Sequence, residues 1–249
     1  MQSRVVRLGL VEVLERMSAS KADAEKRPLR GEPQSVGLIR DATLMAVYEH
    51  GYHGTSVREI AARAGISVAG LYHHFSSKRE ILFELMSHTI DDLIESVENA
   101  RACAGDDPER QLAAAVQAHV RFHTDRREEA FVGNTELRSL DPEQRSAIVA
   151  KRDCYEQIIR ETVVAGRADG TFSVDDPAQV TRAIITMCTA VASWYRPGGR
   201  AAAQEIADQY SRLAVQMVGC ETALRSGSPD GKSASGQTIG PPKEQALGV

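Results

Sequence analysis

The chain has 249 residues and a net charge of −4, from 30 basic and 34 acidic side chains. That length allows one large or two modest domains with a real hydrophobic core, and the slight acidity argues against a protein that coats nucleic acid through bulk charge. The four cysteines (Cys103, Cys154, Cys188, Cys220) lie far apart in no CxxC or Cys/His spacing, so they read as reduced apolar groups of a cytoplasmic protein and not as a zinc site.

Residues 1–33 form an N-terminal extension. Val6, Leu10, Val13, Leu14 and Met17 fall on one helical face, which allows a short amphipathic helix. The alternatives are a loosely ordered terminus, or a start codon set too early with Met17 as the true start. Arg7 and Glu12 interrupt VVRLGLVEVLERM and spoil it as a signal-peptide core. Lys26, Arg27 and Arg30 make a basic arm of the kind that can enter a minor groove. No run approaches the roughly 18 apolar residues that a membrane span needs.

A first helix is predicted over residues 35–50, with Val36, Ile39, Leu44, Val47 and Tyr48 as its buried stripe and Gly51 as its stop. Residues 55–75 follow, TSVREIAARAGISVAGLYHHF. Ser56, with Glu59 three residues later, is a capping box ahead of Val57, Ile60, Ala61 and Ala64. Gly65 ends that helix, and Ser67 caps a second whose inward face is Leu71 with either Ala69 or Phe75. Two short helices around a glycine turn make a helix-turn-helix, which lays its second helix in the major groove of DNA. The same pattern also occurs in proteins that never meet DNA. The second helix's composition favours DNA. Its outward positions are read as Val68, Gly70, Tyr72, His73 and His74: with Ser67 and Ala69 the small residues allow close approach, and Tyr72 and the histidines can hydrogen-bond phosphates. Thr55, Ser56 and Lys78 stand at helix starts, where phosphates are favoured.

The run Gly51, Thr55, Ser56, Val57, Glu59, Ile60, Ala61, Ala64, Gly65, Ser67, Gly70, Leu71, Tyr72, His74, Phe75, Lys78 and Leu82 resembles the N-terminal domain of TetR-family transcriptional regulators. The resemblance spans residues 38–85, about a fifth of the chain. It implies an all-α homodimer with an N-terminal DNA-binding domain (residues 34–80) and a C-terminal ligand-binding and dimerisation domain (81–224). It further implies a repressor that a small-molecule effector releases from double-stranded operator DNA. Residues 38–85 carry five basic and five acidic side chains, so recognition has to rest on placed contacts and dimer avidity and not on a basic patch.

Beyond the helix-turn-helix, Ser77 caps a long helix over residues 77–102 that links the two domains. Further helices are predicted over 108–124, 126–133, 142–168, 176–196 and 201–222, punctuated by Asp141-Pro142, Asp169-Gly170, Asp176-Pro177 and Pro197-Gly198-Gly199. No segment alternates with period two, so the expected class is all-α. The stripes of residues 178–194 and 202–218, joined by a short connection, predict antiparallel neighbours; they either pack within the monomer or, as the TetR resemblance implies, build a two-fold four-helix dimer interface. From Ser226 the composition turns to Ser, Gly, Pro, Lys and Gln, and residues 225–249 read as a disordered tail.

The ligand candidates come from HVRFHTDRREEAFVGNTELR at 119–138 and from SWYRPGGR at 193–200. They are His119, His123, Arg126, Arg127, Asn134, Arg138 and Trp194. The His119–His123 spacing also suits a metal, but no HExxH carboxylate accompanies it. A solvated polar face and a mixed pocket wall stay open as readings. Together the two stretches resemble the TetR-family branch that regulates lipid and steroid catabolism, which implies an acyl-CoA or related lipid or steroid acid as effector. No GxSxG elbow, HExxH or Gly-rich phosphate loop is present, so catalytic residues, cofactors and metals are not expected. The competing reading is a DNA-binding regulator whose C-terminal domain binds a protein partner.

Overall fold

A computed structural model describes residues 34–219. The expectations for the N-terminal extension with its basic arm, for the tail, and for Cys220 lie outside the described residues. All regular structure among the described residues is helical.

Helix α1 (Gln34–Gly54) carries the first stripe inward through Ile39, Ala42, Ala46 and Val47. Its backbone breaks at Gly51 (φ 70°, ψ 164°), a conformation that side chains with a Cβ resist, so the helix ends there and one further turn follows. Helices α2 (Val57–Arg63) and α3 (Val68–His74) come next. Ser56 Oγ accepts from Glu59 N at 3.1 Å and Ser67 Oγ from Gly70 N at 3.0 Å, so both serines cap as their positions predict. The Glu59 carboxylate, however, pairs with Arg63 at 3.0 Å, and Arg63 also holds Glu49 of α1 at 2.6 Å. Gly65 sits between the helices at φ +69°. Leu71 and Phe75, not Ala69, face inward and join Ile39, Ile60 and Ile81 in one small core.

Helix α4 (Lys78–Cys103) leaves this core and runs on into the C-terminal half. There α5 (Pro108–Asp125), α6 (Arg127–Thr135), α7 (Pro142–Ala168), α8 (Pro177–Thr189), α9 (Val191–Trp194) and α10 (Ala203–Met217) complete the bundle. Asp107, Asp141 and Asp176 each cap a helix that has proline in its first turn. A large core gathers Leu112, Val116 and Val120 of α5, Ile159 and Val163 of α7, Ile184 of α8, and Ile206 and Ala214 of α10. A third cluster joins the two halves: Leu44 and Val47 of α1, Leu82, Leu85 and Met86 of α4, Val132 of α6 and Ile148 of α7.

Two expectations are corrected here. The predicted 176–196 helix is two pieces, α8 and α9, which meet at Ala190. And α10 lies chiefly along α5, touching α8 only slightly. The α9–α10 corner is marked by Trp194 and Tyr210, whose ring centroids are 6.4 Å apart.

Candidate functional site

The candidate nucleic-acid surface is the outer side of α3. Leu71 is fully buried and anchors the helix, which forces the neighbouring positions outward. Ser67, Val68, Ala69, Tyr72 and His73 are exposed, Tyr72 by 51%, and Gly70 is half-buried. His74, expected to face outward, instead turns back to α1, its Nε2 within 2.9 Å of Ser35 Oγ. A short helix is thus clamped on one side and presents small residues followed by two polar aromatics on the other.

A second site lies between α5, α7 and α8. The cleft is lined by Ala115, Val116 and His119 of α5, Tyr155 and Ile159 of α7, and Ile184, Ile185 and Cys188 of α8. Its walls are packed so closely that nowhere is it wide enough for a water molecule. His119 and His123 are buried and stack with ring centroids 4.3 Å apart, as residues one helical turn apart can. His119 Nδ1 is hydrogen-bonded to Tyr155 Oη, and its Nε2 lies 3.3 Å from Thr189 Oγ1. His123 Nδ1 donates to the His119 carbonyl at 3.0 Å. Burial, with the neighbouring His123 ring, drives the His119 pKa well below its usual value, and burial lowers His123 to about 4. Burial likewise raises Tyr155 well above the phenol range and Cys188 to about 12. All four groups are uncharged at neutral pH, so the cleft offers hydrogen bonds and apolar surface without charge.

Between the two sites sits a polar joint. Arg126, the residue between α5 and α6, is ion-paired to Asp92 of α4 and to Glu129 at 3.0 Å, and its guanidinium lies 4.9 Å from the Phe122 ring centroid. Arg127 Nη1 donates to Tyr48 Oη of α1 at 2.7 Å, and the Tyr48 and Phe131 rings meet edge to face at 5.4 Å. Just beyond α6, Glu136 Oε1 accepts from Tyr52 N at 3.3 Å and Oε2 from Ser139 Oγ at 2.7 Å. Helix α6 therefore holds α1 at both of its ends.

Comparison with known proteins decides the family. Residues 39–85 match bacterial regulatory proteins of the tetR family, and residues 105–218 match the tetracyclin repressor-like C-terminal domain. The HTH-type transcriptional repressor KstR2 of Rhodococcus jostii (strain RHA1) is 30% identical over 176 residues, covering 70% of this chain and 85% of that protein. The chain belongs to the TetR family. It is a DNA-binding transcriptional regulator with the all-α architecture expected. A solved tetR-family regulatory protein from Rhodococcus RHA1 superposes with a TM-score of 0.72 at 28% identity, over 76% of this chain and 99% of that one. AibR, solved in complex with isovaleryl coenzyme A and operator DNA, superposes with a TM-score of 0.67 at 26% identity, over 72% of this chain and 97% of AibR.

Several residues singled out in the sequence take other roles in this TetR-family fold. Thr55 is only 3% exposed and its hydroxyl donates to Gly51 O at 2.9 Å, so its side chain faces inward. Lys78 Nζ donates to Tyr52 O and Thr55 O, both at 2.7 Å, and sits 4.1 Å from the Tyr52 ring centroid. Two of its three donors thus tie α4 to the end of α1. Ser56 remains exposed at the start of α2. Of the ligand candidates, His119 alone lines the cleft, with His123 stacked behind it. Arg126 and Arg127 belong to the joint. Asn134, Arg138 and Trp194 are exposed and do not line the cleft. Tyr155, Cys188 and Thr189 escaped sequence reasoning. Tyr155 stands 36 residues from His119, and no local pattern pairs them. No group of three or more His, Cys, Asp or Glu among the described residues could hold a metal ion, and no helix among them is long and apolar enough to cross a membrane.

Proposed function

We propose that this regulator is a repressor that leaves its operator when a CoA thioester inserts its acyl part between α5, α7 and α8. The observation that carries the effector reading is the uncharged cleft itself: apolar walls with a few convergent polar groups, the usual make-up of a small-molecule site. Its packed state leaves α5 free to move only if something displaces the walls. The likeness to AibR, whose structure holds both isovaleryl coenzyme A and operator DNA, supports the thioester class. Arg126 and Arg127 are not phosphate ligands in this reading. They transmit. Any displacement of the α5 C-terminus shifts Arg126, hence α6, hence the Arg127–Tyr48 and Glu136–Tyr52 contacts that fix α1. Helix α1 in turn holds α3 through His74.

The DNA contacts assigned to this reading are the exposed Ser67, Val68, Ala69, Gly70, Tyr72 and His73, with Ser56 at the start of α2. The working unit is a cytoplasmic homodimer. The exposed apolar side chains Trp194, Leu213 and Met217, at the α9–α10 corner and along α10, supply the self-complementary patch that a two-fold interface needs. The test starts from duplexes selected from a random pool by the purified protein. Fluorescence anisotropy then follows their release on titration with acyl-CoA thioesters and with the matching free acids. Release by thioesters at lower concentration than by free acids is expected. Release by free acids alone would move the effector away from CoA, and no release by either would leave a regulator whose C-terminal domain serves a protein partner.

A further inference from the structure

The lining of the cleft can be followed along its three helices. His119, Tyr155 and Cys188, all buried, form one level, and Ala115, Ile159 and Ile184 the next. The levels descend with α5 and α8 running one way and α7 the other. Seven residues further along each helix, on the same face, stand Leu112, Thr162 and Thr181. Seven residues are two helical turns, about 10 Å. Leu112, Thr162 and Thr181 are fully buried. Beside Thr162 the bundle is closed: a Cβ on Gly166 would lie 2.2 Å from the buried Phe172 ring, so that ring lies directly on the helix backbone.

Thr162 and Thr181 are unusual in this chain. Thr43, Thr89, Thr135 and Thr186, also within helices, donate their hydroxyls to the carbonyl four residues earlier, at 2.7–2.9 Å. The hydroxyls of Thr162 and Thr181 are buried with no hydrogen-bond partner. Buried polar groups are nearly always paired, and a fold that leaves two unpaired at one register beyond a cleft loses stability unless something else pairs them.

We propose that Thr162 and Thr181 form a polar station at the closed end of the cleft, which receives an uncharged oxygen, a hydroxyl or a ketone, carried at the far end of the effector's acyl group. This rests on the effector reading above and refines it. The station takes a neutral group because neither the cleft lining nor the Leu112 level supplies a cation, and an anion buried there would stand unpaired. The middle level supplies only hydrocarbon, so the part of the ligand between its two polar ends is apolar and spans about 10 Å. His119, Tyr155 and Thr189 meet the polar group at its near end.

The test uses the full-length protein with octanoyl-CoA and its terminally hydroxylated counterpart, with binding followed by calorimetry. The hydroxylated thioester is expected to bind about tenfold more tightly, as two modest hydrogen bonds would give. In the Thr162→Val/Thr181→Val variant, which keeps the shape, that preference is expected to vanish while octanoyl-CoA binds as well as before or better. The Thr162→Ser/Thr181→Ser variant keeps both hydroxyls and is expected to keep the preference. Equal binding of the two thioesters by the wild type, or a preference that survives the valines, would overturn the proposal and leave the effector reading standing. Binding of neither thioester by protein that still holds DNA would remove the effector reading and this proposal with it.

Discussion

Acid should weaken this fold through the stacked histidines of α5, and the size of the effect follows from their burial. His123 is lowered from 6.5 to about 4 because burial penalises its charged form. His119, more deeply buried and beside His123, shifts in the same direction. Between those two pH values the unfolded chain binds a proton at His123 that the native chain does not. The native state therefore has its full advantage above pH 6.5 and loses it progressively as the pH falls toward about 4, below which the loss levels off. At about 1.4 kcal/mol per pH unit, His123 alone contributes about 3 kcal/mol to that loss. Carboxylates elsewhere also weaken the fold in acid, so the assay is a difference. Urea unfolding would be followed across this pH range for the wild type and for His119→Gln/His123→Gln. The wild type should lose at least about 3 kcal/mol more than the variant on going from neutral pH to pH 4, since His119 adds to the share of His123. Parallel stability curves for the two proteins would refute the claim that these rings are held neutral by burial.

Three further outcomes are expected. Tyr72 is half-exposed on α3, so Tyr72→Ala should leave the thermal midpoint nearly unchanged while lowering operator affinity roughly tenfold; normal binding by anisotropy would show that the assigned face is wrong. Lys78→Ala should cost about 1–2 kcal/mol of stability, because it strips a charged donor from the Tyr52 and Thr55 carbonyls; a stable variant whose binding loses one charge of salt dependence would instead make Lys78 a phosphate anchor. Leu213 is 38% exposed on α10 beside other apolar side chains, so Leu213→Glu should yield a folded monomer by sedimentation with greatly weakened operator binding, whereas a monomeric wild type at micromolar concentration would end the dimer reading.

The DNA-binding half was largely legible because its signals are local. Ser56, Gly65, Ser67 and Leu71 act within one turn of themselves, and the structure uses each as its position predicts. What the sequence does not show is where distant residues compete for a side chain. Thr55 looks like a helix start open to solvent, but the break at Gly51 folds its hydroxyl back onto a carbonyl. Lys78 has the position of a phosphate anchor, yet two carbonyls from α1 and the turn after it lie within its reach. The C-terminal half shows the same limit more strongly. The polar stretch 119–138 reads as one surface, but three helical faces divide it: the histidines into the cleft, the arginines into the joint, Asn134 and Arg138 out to solvent. Thr162 and Thr181 give no signal at all in sequence, since a threonine in an apolar helical stripe is expected to satisfy itself on its own backbone.

Coupling between the cleft and the α3 surface is measurable in two directions, because linkage is reciprocal. If a thioester weakens operator binding by a given factor, the operator must weaken thioester binding by the same factor. Octanoyl-CoA affinity would be measured for the free protein and for the protein saturated with its selected duplex, and operator affinity with and without saturating octanoyl-CoA. Two equal factors are expected, within the roughly 5- to 150-fold range of about 1–3 kcal/mol that such coupling spans. A thioester that binds equally well to the free and the DNA-bound protein, with operator affinity unchanged, would contradict it.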